Sequence, residues 1–311
     1  MFEQRFDSIF DKFKGTDSST WKEKIIADLK GKPFEGLISV SEDGIETLPF
    51  YTAETTKNYR LNIPLKREQH WQITEYIKID DTQKANADAL FALKNGANAI
   101  LFDFQNHTLD DAQMEKLVKD FLLDAATFYA ENTGETATKL FVKYGIINNK
   151  KLYVPQQKST VNELLYAVQY LFQDKDSTPT NVHFCTGQNY FLEIAKLRAF
   201  RWLVQQINQI QKINKDYILF SETGFEGRND EFVENNILRN TTEAMSAILG
   251  GCDALIIHPH EQSSLGKRIA RNIQHLLYYE SNFKQIPDVV KSTYYIEYLT
   301  FQLAKKVWEK L

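Results

Sequence analysis

The chain has 311 residues, 43% hydrophobic and 25% charged, with 21 Phe, 15 Tyr and 4 Trp. A chain this aromatic can bury a large core, which excludes disorder, collagen-like repeats and coiled-coil composition. With 37 Lys+Arg against 41 Asp+Glu, a formal charge of −4, it carries no electrostatic footprint for nucleic acid or membrane phosphates.

The first element is amphipathic. Phe2, Phe6, Ile9, Phe10 and Phe13 recur at helical spacing, with Asp7, Asp11, Lys12 and Lys14 between them. Asp17-Ser18-Ser19-Thr20 is an N-cap cluster for a second helix, Trp21 to Leu29, closed by Gly31 and Pro33. Residues 1–33 thus read as a helical arm whose stripe packs either on its own domain or on another chain. Residues 34–70, with Pro49, read as an irregular lead-in. The N-terminus lacks the apolar core of a signal peptide. Cys185 and Cys252 form no disulfide framework, and no apolar run reaches the roughly 18 residues that span a bilayer. A cytoplasmic protein is expected.

From residue 71 onward the pattern is strand–helix. Gln72–Ile79 is β-rich and alternating, Ala85–Lys94 is helical and closed by Asn95-Gly96, and Ala99–Phe104 is a buried strand. Lys143–Pro155 and Gln173–Thr180 read as polar connections. Thr160–Phe172, Tyr190–Ile210 and Thr242–Leu249 are helical by period, and Gly250-Gly251 precedes the strand Ala254–His258. Two more helices, Lys267–Tyr279 and Tyr295–Leu311, complete the chain. Alternation of this kind predicts a parallel α/β sheet, and its economical form is a closed barrel, because no dinucleotide fingerprint follows any strand.

Chemistry-bearing residues are sparse. His258 and His260 share a strand face, with Cys252 upstream, yet lack further ligands at metal spacing. Glu222, Glu226, Asp230 and Glu231 form an acidic loop that reads either as an acid–base pair or as a solvated loop. Ser159 and His183 lack a nucleophile elbow, and there is no phosphate loop. In Asn189–Ile207 the apolar surface runs round more than one face. Glu193, Lys196, Arg198 and Arg201 must therefore pair inside the protein, and Arg268 and Arg271 pose the same choice.

Several stretches resemble the methylmalonyl-CoA mutases. WKEKIIADLKGKPFEGL followed by GIETLPFYTAE is similar to their N-terminal segment, and NYFLEIAKLRAFRWL to their N-F-F-x-E-[IV]-A-K-L-R-A-x-R helix. FVENNILRNTTEAMSAILGGCDALIIHP, LGKRIARNIQHLLYYES and STYYIEYLT follow in family order. The resemblance implies a (βα)8 TIM barrel, residues 71–311, preceded by the N-terminal helical arm. It implies a family that interconverts methylmalonyl-CoA and succinyl-CoA with adenosylcobalamin, which supplies the radical chemistry. In that family the cobalamin sits on a C-terminal domain marked by Asp-x-His-x-x-Gly. None of the six histidines here follows an Asp by two residues, so no such domain is expected in this chain.

The resemblance also breaks at the family's substrate positions. Its T-I-R-Q-Y is Ile73-Thr74-Glu75-Tyr76 after Gln72, so Tyr76 stays while the arginine becomes Thr74. The histidine after Gly-Tyr falls on Val154, and the CoA-holding Arg-x-Ser falls on Pro179-Thr180-Asn181. The T-I-Q-N-D motif has no counterpart, and Gly-Gly before Ser-Tyr-Tyr is Val290-Lys291. The expectation is the small subunit: a barrel with no catalytic, substrate-binding, cofactor-binding or metal residues, Tyr76 being vestigial. It would stabilise a catalytic large subunit, as a heterodimer in which the partner holds the adenosylcobalamin. The alternatives are a catalytic barrel receiving cobalamin from a separate chain, or an unrelated barrel enzyme. Bulky AILFDF and ALIIH lean toward a closed barrel axis.

Overall fold

A computed structural model describes residues 15–59, 61–64, 70–173, 179–224, 228, 231–285 and 288–311. The phenylalanine stripe, Phe2 to Phe13, lies outside them. Asp17 caps the first helix, α1 (Ser18–Asp28), by accepting the Thr20 N–H. No residue of α1 is buried, and Trp21, 54% exposed, leans on Phe50 at 5.8 Å. The lead-in contains an antiparallel ribbon, β1 (Ser39–Val40) with β2 (Glu46–Thr47), and a one-turn helix, α2 (Ala53–Thr56), held by a Thr52/Thr55 capping box. Tyr51 and Tyr59 pack this lead-in against Tyr298 near the C-terminus, so it is docked on the barrel.

The barrel consists of β3 (Gln72–Lys78), α3 (Thr82–Lys94), β4 (Ala99–Asp103), α4 (Asp111–Leu117), β5 (Thr127–Glu131), α5 (Thr138–Lys143), β6 (Ile146–Ile147), β7 (Lys150–Val154), α6 (Thr160–Gln173), β8 (Thr180–Thr186), α7 (Tyr190–Gln211), β9 (Tyr217–Thr223), α8 (Asn235–Gly250), β10 (Ala254–Ile256), α9 (Ser264–His275) and α10 (Tyr294–Trp308). The eight strands β3–β10 form one parallel sheet in the order β6-β5-β4-β3-β10-β9-β8-β7. This is the barrel-type α/β fold the sequence implied. The stretch read as a polar connection, residues 143–155, instead supplies both edge strands, because Lys150 and Lys151 occupy pleat positions with Leu152 and Val154 facing the helices.

The sheet closes on itself. β6 and β7 run the same way and only Asn148 and Asn149 separate them, so they lie end to end as two halves of one stave. Contacts across the ring agree: Lys151 on β7 meets Glu131 on β5 at 2.9 Å, and Tyr129 on β5 meets Phe220 on β9 at 5.2 Å. Strand pleating decides what fills the interior. Ile73, Ile77, Phe102, Val182 and Leu219 turn outward into two cores under the helices. Leu101, Tyr129, Phe220 and Ile256 turn inward and pack together along the axis.

α7 is the longest helix. Asn189 caps its start and Lys212 ends it in the left-handed region, at φ 53°. The helix is buried on two sides, and its charges pair as expected. Lys196 lies between Glu163 (2.9 Å) and Glu193 (2.7 Å), Arg198 between Asp288 (2.8 Å) and Glu297 (3.2 Å), and Arg201 meets Asp253 at 3.0 Å. The sequence motif most typical of the resemblance is thus scaffold: three cations that fasten α7 to the elements round it.

Candidate functional site

In a parallel barrel, chemistry gathers where the strands end in loops at the C-terminal face. Here that mouth opens into a cavity of about 570 Å³, lined by Thr74, Tyr76, Glu131, Lys151, Tyr153 and His258 among others. Beneath it the axis is filled. The His183 ring stacks on Phe220 at 4.5 Å and 5°, Phe220 meets Tyr129 edge-on, and the Tyr129 hydroxyl donates to Gln72 Oε1 at 2.7 Å. Leu101, His183 and Phe220 are wholly buried.

Above this plug lies an ionic network. The Glu222 carboxylate only accepts, so His183 Nδ1–H (2.6 Å) and His258 Nε2–H (3.0 Å) both donate to it. Burial alone would raise the Glu222 pKa, but those two hydrogen bonds outweigh it and hold the carboxyl well below its usual range. His183 Nε2 faces Glu131 at 4.0 Å, and Lys151 faces the same carboxylate at 2.9 Å. Burial lifts the Glu131 pKa, against the pull of His183 and Lys151. The Tyr76 hydroxyl donates to Asp103 at 2.5 Å, and Asn132 donates to the other oxygen. Burial and the Asp103 bond together raise the Tyr76 pKa, so the phenol stays protonated.

Behind the network, Glu243 accepts the Gly224 N–H at 2.9 Å, and Arg228 ties the same loop to the His258 and Pro259 carbonyls. Burial lifts the Glu243 carboxyl from 4.5 to about 7, against the Gly224 bond and Arg228. A folded-state pKa above the unfolded one means an ionised, buried carboxylate that costs stability above pH 7. That cost is relieved as pH falls from about 7 toward 4.5. Glu243→Gln should therefore stabilise the chain at pH 8, on the order of 1–2 kcal/mol, and gain little at pH 5, as read by urea denaturation.

The positions singled out in the sequence separate in space. Thr74 and Tyr76 reach the mouth together, with Thr74 donating to its own strand at Gln72 O. Val154, 1% exposed, lies in the outer core, while its neighbour Tyr153 lines the mouth. Asn181 faces the opposite end of the barrel, where it accepts from Asn149 at 2.9 Å, and Pro179 is exposed below it. Ser159 donates to Asp43, so no Ser159–His183 pair forms. His258 is held by Glu222, Cys252 is buried, and among the described residues no His/Cys/Asp/Glu group suits a metal. Of the acidic loop, Glu222 is a strand residue and Glu231 is exposed, whereas Glu226 and Asp230 lie outside the described residues. Sequence reasoning missed Asp103, Glu131 and Lys151. Each holds an inward pleat position, Asp103 at the end of a strand that the sequence did show, Glu131 and Lys151 on strands that it did not. No helix among the described residues is long and apolar enough to cross a membrane.

Fold and mouth together define a parallel α/β barrel whose axis is packed shut. The profile of the methylmalonyl-CoA mutases matches residues 174–311. The methylmalonyl-CoA mutase small subunit of Porphyromonas gingivalis is 26% identical over 97% of this chain and 63% of its own length. The methylmalonyl-CoA mutase of Rhizobium meliloti is 37% identical over 40% of the chain and 19% of its own length. The large subunit from Propionibacterium freudenreichii subsp. shermanii is 34% identical over 39% and 18%. This chain is similar to the methylmalonyl-CoA mutases over its C-terminal part, and its full-length likeness is to a small subunit. It spans less than two thirds of the relatives it matches.

Proposed function

We propose that this chain acts as the small subunit of a methylmalonyl-CoA mutase, a non-catalytic barrel that stabilises a catalytic large subunit in a heterodimer. The observation that carries the reading is the plug. An acyl-CoA threaded along the axis would have to displace His183, Phe220 and Tyr129, and at the mouth it would meet Asp103, Glu131 and Glu222. Three carboxylates against Lys151 and two histidines suit an anionic substrate poorly. Tyr76, the one family site residue kept, spends its hydroxyl on Asp103.

The family is cobalamin-dependent, but the residues here do not fit that cofactor as a cobalt-bearing site. The two mouth histidines each give a ring nitrogen to Glu222, and no histidine stands in the family's Asp-x-His-x-x-Gly setting. The adenosylcobalamin is therefore assigned to the partner. On this reading residues 1–33 form the arm, residues 34–70 the lead-in and residues 71–311 the barrel. The exposed Trp21, Ile26, Leu37 and Val40 make the arm and lead-in the candidate contact with the large subunit.

The test is direct. The isolated chain with adenosylcobalamin should neither bind methylmalonyl-CoA or succinyl-CoA nor interconvert them, and it should co-elute with a catalytic large subunit. Turnover by the isolated chain would overturn the reading.

A further inference from the structure

At the base of the mouth cavity carboxylates outnumber cations. Glu131 and Glu222 line it and Asp103 lies behind Tyr76, against a single ammonium, that of Lys151. The two N–H bonds that Glu222 accepts need only neutral imidazoles on His183 and His258. Farther out the signs balance: Glu75 is paired with Arg271, and Asp80, Asp81 and Asp88 stand with Lys78, Lys84 and Lys267. The negative excess is therefore at the base. Tyr76 responds to the same field. Burial and the bond to Asp103 raise its pKa, and the charges of Glu131 and Glu222 add to the rise.

One of these carboxylates has an oxygen to offer. Glu131 is 5% exposed, and its Oε2 faces Lys151 at 2.9 Å, sealed from solvent. Its Oε1 accepts no hydrogen bond among the described residues and is not sealed. A buried carboxylate oxygen without a donor is uncommon, and this one belongs to a side chain that lines the cavity. The walls beside it are aromatic. Tyr76 and Tyr153 both line the cavity, and the Lys151 ammonium lies 5.9 Å from the Tyr153 ring centre while it holds Glu131. The chain thus already places one alkylammonium against a carboxylate and a tyrosine ring here, the combination that recognises amines.

We propose that the mouth cavity binds a small primary alkylamine, its ammonium donating to Glu131 Oε1 beside Glu222 and its carbon stem lying along Tyr76 and Tyr153. A cavity of about 570 Å³ admits such a molecule without disturbing the packed axis below. Such a site is opposite in charge to one for an acyl-CoA, and it stands whether or not the chain serves as a mutase small subunit.

The test is calorimetric titration of the full chain, at pH 8 and constant ionic strength, with n-butylamine and separately with 1-butanol, which has the same stem and no charge. Saturable binding of the amine alone is expected. Glu131→Gln, close in size, should weaken it by roughly fivefold or more. Lys151→Gln removes the competing ammonium and should tighten it by roughly fivefold, a gain that loss of folding cannot mimic. Asp28→Asn, which removes a carboxylate on α1 outside the cavity, should bind as wild type does. The proposal fails if the amine shows no saturable binding up to about 20 mM, or if butanol binds as tightly. It fails equally if Glu131→Gln leaves the affinity unchanged or Lys151→Gln binds no tighter than wild type.

Discussion

Replacing Lys196 by Met should destabilise the chain by about 3–5 kcal/mol and lower its melting temperature by roughly 6–20 °C. Lys196 is 1% exposed and offsets the repulsion between Glu163 and Glu193 by pairing with both, while also donating to the Cys185 carbonyl at 3.0 Å. Methionine fills most of the space but removes the cation, leaving two buried carboxylates facing each other. Burial already raises the Glu193 pKa against the pull of Lys196, and losing that pull raises it further. The sign follows. The cost is full above the folded-state pKa and shrinks as pH falls toward the unfolded value near 4.5. Equilibrium denaturation at pH 8 and pH 5 should show the deficit narrowing at the lower pH. Adding Glu193→Gln should recover part of it. A loss below about 1 kcal/mol would mean that the cluster is solvated.

The second large effect is expected in the barrel axis. Phe220→Ala should cost about 3–5 kcal/mol, because Phe220 is fully buried and its neighbours come from strands that cannot collapse inward. It would leave His183 without its stacking partner and Tyr129 without its edge contact. Phe220→Leu should cost less than about 1.5 kcal/mol, since it keeps the axis filled. Phe91→Ala, at a position 54% exposed, provides the comparison and should cost much less. If Phe220→Ala were as mild as Phe91→Ala, the axis would not be packed as described.

These two sites show what could be read from sequence. The buried charges of α7 were legible as charges that must pair, because apolar residues surround them. Their partners were not, since Glu163 lies 33 residues from Lys196 and Asp288 lies 90 from Arg198. Strands β3, β4 and β10 were legible as β-rich or apolar runs. β5, β7, β8 and β9 were not, because their inward positions carry Glu131, Lys151, His183 and Glu222. Those polar residues break the continuous apolar signal that a doubly buried parallel strand normally gives. The network that lines the mouth thus hid the strands that bear it. The resemblance located the barrel and the altered positions Thr74 and Val154, but only pleating separates Val154, facing outward, from Tyr153 at the mouth.

The split stave has a consequence for how the chain comes to be folded. Between β6 and β7 the hydrogen-bonded ring is interrupted, so the sheet divides into two consecutive four-stranded halves, β3–β6 and β7–β10. Each half has its own outer core: Ile77 to Ile146 for the first, and chiefly Leu152 to Val307 for the second. During synthesis the first half emerges first and can bury its own apolar face before the second half is complete. The halves then join along one backbone seam, β3 with β10, and through side chains at the other, where Lys151 meets Glu131. Assembly of the ring thus becomes the docking of two preformed pieces.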